Sequence, residues 1–440
     1  MNKSSVFTVI VLIFSLTSTA QVVEKLTREE AISETLENNF GIKMAKNDLR
    51  IADNNRGILN SGYLPSITGL AGANYSIQDQ EVTFRDGTTN IVEGAETKRY
   101  DASVNINYTL FDGLGRWYDY KRLKEEYNLS ELEVRQTIEN TLLQMFTVYF
   151  EVARLTENVE VLKSTYENTK NRLIRAEYRF EYGQTNRLEV LNAQVDLVTD
   201  SINLINARQT LRNTKRDLNV VLNQSIERNF EVDTTVSFIE ELKMQTYLEE
   251  ADTNNVRLQL ARSNIEVSTL NYKASRSVYL PTVNLSGSYG WNEGQFPVTS
   301  FATGNTSTGL AAGVSLSWNL FDGGSGITSV KNSKIQIENQ TLLKEQLQVE
   351  VARDIANAEG NYRNRLEIYR LQEQNVVTAT DNYERSLERY KLGQITSVEL
   401  RQAQINLLNN RTTRNLAKYQ AKIAELELLQ QTGQLLNVAF

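Results

Sequence analysis

The 440-residue chain contains no cysteine and no histidine. Disulfides, thiol nucleophiles, His-based triads and most zinc sites are thereby excluded, since each needs one of those side chains. Proline is nearly as scarce, with only Pro65, Pro281 and Pro297. Proline breaks helix interiors, so its rarity suits a mostly helical chain. Long hydrophobic runs are missing too. Past the N-terminus no segment approaches the ~18 consecutive apolar residues of a membrane-spanning helix. If the chain crosses a bilayer it does so as β-strands, the other structure that satisfies backbone polar groups in lipid. There is no excess of basic charge: 47 Lys and Arg are interspersed with 54 Asp and Glu, which leaves no nucleic-acid footprint. Carboxylates are abundant but recur at helical spacing, without a phosphate loop beside them. The chain therefore offers no catalytic, cofactor or metal site, and it is not read as an enzyme.

Residues 1–20 fit a secretory signal. Lys3 gives the positive start, 6–16 a short apolar stretch, and Ser18-Thr19-Ala20 a small-x-small cleavage site. An N-terminal anchor helix is the other reading, although the stretch is short for a bilayer.

Glycine is present but unevenly placed. Seventeen of the 22 glycines fall in two windows, 57–115 and 287–326, and none lies in 184–286. Glycine-free, proline-poor segments favour helices, and the windows favour strands and turns. The windows match each other. Tyr63-Leu64-Pro65 recurs as Tyr279-Leu280-Pro281, an offset of 216 residues (63 to 279). Leu110-Phe111-Asp112-Gly113 recurs as Leu320-Phe321-Asp322-Gly323, an offset of 210 (110 to 320). The twelve residues from Gly183 recur from Gly393 at the same 210, with five identities, and Asn38-Asn39 recurs as Asn254-Asn255. Four marks in one order mean duplication of a large unit, far longer than a solenoid repeat.

Each unit reads as a helix, two strands, a very long helix, a glycine turn and a returning helix. The first unit spans 21–222, with strands near 66–76 and 102–110 and a helical hairpin over 116–222. The second spans 245–432, with strands near 282–291 and 309–320 and a hairpin over 327–432. A linker, 223–244, joins them, and 433–440 is a tail. In the strands Val104, Ile106, Tyr108 and Leu110 alternate with Ser103, Asn105, Asn107 and Thr109. Val314, Leu316, Trp318 and Leu320 alternate with Ser315, Ser317 and Asn319. A membrane barrel alternates in this way, and so does a half-buried soluble sheet. Trp117, Trp291 and Trp318 all lie in or just beyond these strands, as an interfacial girdle would require. Polar loops are expected over 78–98 and 292–308. Four strands cannot close a barrel, and an open edge is not viable in lipid, so the membrane reading demands several copies.

The segment 116–182 has neither glycine nor proline. As one helix it would reach roughly 100 Å at about 1.5 Å per residue. Apolar residues follow threes and fours: Ile138, Leu142, Met145, Tyr149, Val152 on the long helix; Leu188, Leu191, Val195, Val198, Ile202, Ile205 on the returning one. These read as coiled-coil seams.

In its doubled Leu-Phe-Asp-Gly, doubled Tyr-Leu-Pro and doubled Gly-(x)5-Glu tips ending in Ala-Gln, the whole mature chain resembles the TolC family of outer-membrane efflux channels. The resemblance implies a mainly helical homotrimer with a 12-stranded outer-membrane barrel and a long periplasmic α-barrel. It implies a passive duct for small molecules or polypeptides in a tripartite efflux or type I secretion system. Its partners would be outer-membrane lipid, a periplasmic adaptor and an inner-membrane transporter. By the glycine alignment, Glu399 falls on an acidic entrance ring and Gln402 on the position of a second one. Glu189 and Tyr390 fall on the two partners of an inter-helix gate tie, and Ile395 replaces an arginine of the family pattern. Ordinary helix N-terminal carboxylates, favoured by the helix dipole, are the other reading of Glu189 and Glu399. Gly183, Gln184, Thr185, Asn186, Gly393, Gln394, Ile395 and Thr396 are the expected adaptor-docking tips, or else solvated turns. A periplasmic coiled-coil adaptor or a structural coiled coil is the competing assignment for the chain.

Overall fold

The computed structural model describes residues 24–438. The expected signal, residues 1–20, lies outside the described residues. The first unit comprises β1 (Glu24–Leu26), α1 (Arg28–Asn38), α2 (Phe40–Asn55), β2 (Ser66–Thr83), β3 (Thr89–Asp112), α3 (Gly115–Glu181) and α4 (Arg187–Leu222). A short strand, β4 (Phe230–Val232), lies in the linker. The second unit comprises α5 (Glu241–Asn254), α6 (Val256–Ser275), β5 (Thr282–Gln295), β6 (Gly304–Ser317), α7 (Ser325–Lys391) and α8 (Ser397–Gln431). The long helices α3 and α7 are 67 residues each, about 100 Å end to end.

The repeated motifs are local devices for starting and stopping helices. The aspartates of the two Leu-Phe-Asp-Gly motifs accept from the first turn of the long helices. Arg116 N donates to Asp112 at 2.9 Å, and Gly326 N donates to Asp322 at 2.7 Å. Both are placed to satisfy donors that a helix start leaves unpaired. The paired asparagines break the expected single helix before each strand pair into two. Asn39 caps α2 by accepting from Gly41 N at 2.8 Å, and Asn255 caps α6 by accepting from Leu258 N at 3.2 Å. Each amide then donates to the last turn of its own unit's returning helix, Asn39 to Val221 O and Asn255 to Gln431 O. One residue thus ends one helix through its backbone N–H, starts the next through its side chain and fastens both to a third.

The strands pair in the order β2-β3-β5-β6, antiparallel throughout. The register aligns the apolar positions across the sheet. Tyr108, Leu285 and Val314 form one row, Ile67, Ile106, Gly287 and Ala312 the next, and Val104, Tyr289 and Leu310 a third. Polar residues share the other face, where Thr109 Oγ1 and Asn284 Oδ1 meet at 2.9 Å. A register shift between Thr109 and Phe111 sets Leu110 aside and puts Phe111 opposite Val283, on the apolar face. β2 and β6 leave their outer edges unpaired.

The strands depart from the expected lengths. β2 and β3 run on through most of 78–98, leaving a tight turn where a long polar loop was anticipated, and β5 and β6 reach Gln295 and Gly304. These extensions are mostly polar, with Val82, Ile91 and Val92 in no regular alternation, so apolar alternation does not mark them, yet their backbones pair across one register shift between Gln78 and Gln80. At the other end β6 stops at Ser317 rather than at 320. Its partner begins at Thr282, just after Pro281, so residues 318–320 have no strand to pair with.

A core collects where both hairpins meet the linker. Leu142, Met145, Phe146, Tyr149, Phe150 and Val152 of α3 pack with Leu218 and Leu222 of α4, Phe230 of β4 and Tyr419, Leu426 and Leu429 of α8. β1 pairs with β4 in parallel, a contact of three residues per strand that the sequence reading did not anticipate. The buried Tyr149 hydroxyl joins the two segments, donating to Leu26 O and accepting from Asp233 N, both at 3.0 Å. Beyond β4 the linker lies along α8. Lys418 and Lys422 donate to Thr234 O and Ser237 O, and Glu425 accepts from Ile239 N.

The seams divide. The α3 seam is buried within the chain, whereas Leu188, Val195, Val198 and Ile205 of α4 are each about 60% exposed. α4 therefore does not bury that stripe against its own hairpin partner. No described helix is long and apolar enough to cross a membrane.

Candidate functional site

The hairpin tips lie at the ends of the long helices remote from the sheet. Both turns are built alike. Gly183 and Gly393 adopt φ +72° and +74°, a left-handed conformation that glycine takes at little cost. Gln184 N then donates back to Arg179 O, and Gln394 N to Arg389 O, closing a paired C-terminal cap in each hairpin. The returning helices are capped next. Asn186 accepts from Glu189 N at 3.1 Å. Thr396 accepts from Glu399 N while the Glu399 carboxylate accepts from Thr396 N at 2.7 Å, a reciprocal box. These bonds hold the Glu399 carboxyl below its usual range, the Thr396 backbone N–H being the main cause.

Glu189 and Tyr390 meet. The Tyr390 hydroxyl, on the last turn of α7, donates to Glu189 Oε1 on the first turn of α4 at 2.8 Å. The bond bridges the two hairpins. Thr185 and Arg179 also bond the Glu189 carboxylate, and the Arg179 guanidinium lies 5.8 Å from the centre of the Tyr390 ring. Tyr390 is 3% exposed, and burial, reinforced by the carboxylate, raises its phenol above the ordinary value. Gln402 stands apart, exposed, its amide donating to Asn406. Gln184, Asn186, Gln394 and Thr396 are exposed, and Thr185 and Ile395 are half-buried.

About two turns from the tips lies a charged cluster absent from the sequence reading. Arg401 of α8 grips Asp200 of α4 with two bonds of 2.8 Å, and its Nε lies 3.5 Å from Asp196. Arg172 of α3 bonds Asp196, Thr169 donates to Asp200 at 2.6 Å, and Gln404 donates to Thr169 at 2.9 Å. Asp200, Thr169, Arg172 and Gln404 are all buried. The spacing of Asp196 and Asp200 put both carboxylates on one helix face. Nothing in the sequence paired them with an arginine 200 residues away.

The model of the outer membrane efflux protein family matches residues 31–224 and again 247–434. The chain belongs to this family. The two matches start 216 residues apart (31 to 247) and end 210 apart (224 to 434), the two offsets of the internal repeat. The outer membrane protein TolC of Vibrio cholerae is 22% identical over 378 residues, covering 85% of this chain and 83% of its own. The outer membrane efflux protein BepC of Brucella suis is 22% identical over 418 residues, covering 93% and 88%. The CmeC outer membrane channel of Campylobacter jejuni superposes with a TM-score of 0.74 over 93% of this chain and 86% of its own, at 17% identity. The protein is thus an outer-membrane protein with a large periplasmic helical part. Its family is one of channels, not enzymes. Such channels complete their barrel by trimerisation and work with adaptor and inner-membrane transporter partners.

Proposed function

We propose that this chain forms, as a homotrimer, the outer-membrane duct of a tripartite efflux or type I secretion system, closed at its periplasmic end by the Tyr390–Glu189 tie. The open edges of β2 and β6 and the exposed stripe of α4 support the assembly, because each needs a second copy to cover it. The observation that carries the gate is the 2.8 Å bond itself. It joins α7 of one hairpin to α4 of the other, so opening by separation of the hairpins must break it. Glu399 is held by its own capping box and faces solvent. In a trimer three such carboxylates would surround one axis and favour cations. Gln402, uncharged, leaves that field weaker than two acidic rings would. The exposed tips around Gly183, Gln184, Thr185 and Asn186 and around Gly393, Gln394, Ile395 and Thr396 are the surface an adaptor would grip. Docking there is tested by site-directed crosslinking of Gln184→Cys and Gln394→Cys to co-expressed adaptor. Adducts only at the tips support it, and adducts elsewhere alone oppose it. Tyr390→Phe in planar bilayers tests the gate, which fails if conductance is unchanged.

A further inference from the structure

The joint between sheet and helices at the centre of the chain contains a cavity of about 250 Å³. Leu114 and Tyr118, where β3 passes into α3, line one wall. Lys273, Arg276, Tyr279 and Leu280, where α6 passes into β5, line the other. Lys273 and Arg276 make no ion pair, side-chain hydrogen bond or ring contact among the described residues. Their basic neighbours are all engaged: Arg116 with Asp112, Arg122 with Glu126, Lys121 over Trp117 and Lys124 over Tyr120. Asp112 and Asp119, the carboxylates beside Leu114 and Tyr118 along the chain, are held by Arg116 and Arg122. Two cations therefore share one recess with two phenols and no anion.

An indole borders the recess at Tyr279. Trp318 follows β6 in the same parity as Val314 and Leu316, and its indole donates to Tyr279 O at 3.3 Å. Leu114 and Leu280 are nearly half exposed beside it. The sheet is the membrane part of the chain and the helices are periplasmic, so this is the inner rim of the outer membrane. The cavity lies where the two central strands, β3 and β5, meet the helices, away from the β2 and β6 edges.

The duplication supplies an internal comparison. At the matching offsets Lys273, Arg276 and Tyr118 correspond to Gly57, Asn60 and Thr328. The repeat does not carry these three side chains over to its other copy, so the duplicated architecture does not by itself require them.

We propose that this recess binds the phosphate headgroup of an inner-leaflet phospholipid, one per chain. Lys273 and Arg276 would take the phosphate oxygens, Tyr118 and Tyr279 would flank the glycerol, and the acyl chains would rise over the apolar face past Phe111 and Val283. Charge-assisted bonds to phosphate and attraction of basic groups to anionic lipid both act in this direction.

Native mass spectrometry of the purified, delipidated channel tests the site. Dioleoylphosphatidylglycerol should be retained to a limit of one per chain, and dioleoylglycerol, which lacks the phosphate, should not. Lys273→Gln with Arg276→Gln should weaken retention roughly tenfold or more, each lost cation near the surface contributing several-fold. The charge-preserving pair Lys273→Arg and Arg276→Lys should retain it. Equal retention by the Gln pair, or of dioleoylglycerol, overturns the proposal. Displacement of the lipid by an equal concentration of inorganic phosphate overturns it as well, by marking a free-ion site. The diglyceride and phosphate arms use the wild-type protein, so they decide the question even if the Gln pair fails to assemble.

Discussion

The Arg401 guanidinium and the Asp200 carboxylate face each other through two bonds of 2.8 Å, joining α8 of the second hairpin to α4 of the first. Together with Arg172, Asp196, Thr169 and Gln404 they make the buried polar floor on which the tips stand. The side chains of Asp200 and Arg401 are 3% and 13% exposed, so water cannot readily take the place of either partner if it is removed.

Removing one partner should accordingly cost far more than the pair contributes. Asp200→Ala or Arg401→Ala is expected to destabilise the tip region by about 3–5 kcal/mol, because a buried charge is left uncompensated. The double variant should cost less than the sum of the two. A double-mutant cycle on hydrogen exchange of the first turns of α4 and α8 measures this, and strictly additive effects would show the two groups to be independent.

Tyr149 makes a second prediction, at the linker. Its hydroxyl serves Leu26 O and Asp233 N together, and burial pushes its phenol up to about 12. Tyr149→Phe leaves two backbone groups without their partner and should cost about 1–3 kcal/mol. The sign of the pH effect follows from the raised value. The folded state holds the proton more tightly, so this contribution is intact below about pH 10 and is lost as pH rises toward 12. A wild-type melting temperature that falls across that window, and a Tyr149→Phe melting temperature that falls less, are the expected results.

Glu399 titrates in the opposite sense. Its carboxyl is lowered by Thr396, so the box is stabilising above the ordinary carboxylate range and is lost as pH falls through the folded value. Acidification should fray the start of α8 before the start of α4, whose Asn186 cap carries no such box. Thr396→Ala should cost about 1 kcal/mol and lessen the acid dependence, part of which stays with the Thr396 backbone N–H, whereas Glu399→Gln should remove it. Amide exchange at residues 397–400 between pH 3 and pH 6 checks both.

The two turn glycines should be intolerant of side chains. Gly183→Ala and Gly393→Ala put a Cβ into a left-handed conformation and are each expected to cost about 1–2 kcal/mol. The loss should appear as faster proteolysis at the tips, with the sheet unaffected.

How far these features were legible in the sequence depended on whether a device was local or repeated. Gly183 and Gly393, Asn39 and Asn255, and Asp112 and Asp322 act on backbone within a few residues, and duplication marked each pair. The Tyr390–Glu189 pairing became legible through family resemblance, since 201 residues separate the two. The Arg172, Asp196, Asp200 and Arg401 cluster was not legible, because it has no counterpart in the other unit and draws on three helices. β1 and β4 are too short for periodicity to register. The wet ends of β2 and β3 lack the apolar alternation by which strands are recognised. The α4 stripe was legible as a seam but not as one left uncovered within a single chain.

Single-channel recording in planar bilayers tests the gated duct most directly. A phenol hydrogen bond to a carboxylate contributes about 1.5–3 kcal/mol, and Tyr390→Phe removes it from each chain while keeping the ring. The wild-type protein is expected to conduct at a low resting level, and Tyr390→Phe to conduct several-fold more. Wild-type protein that forms no channel contradicts the duct; Tyr390→Phe with unchanged conductance contradicts the gate.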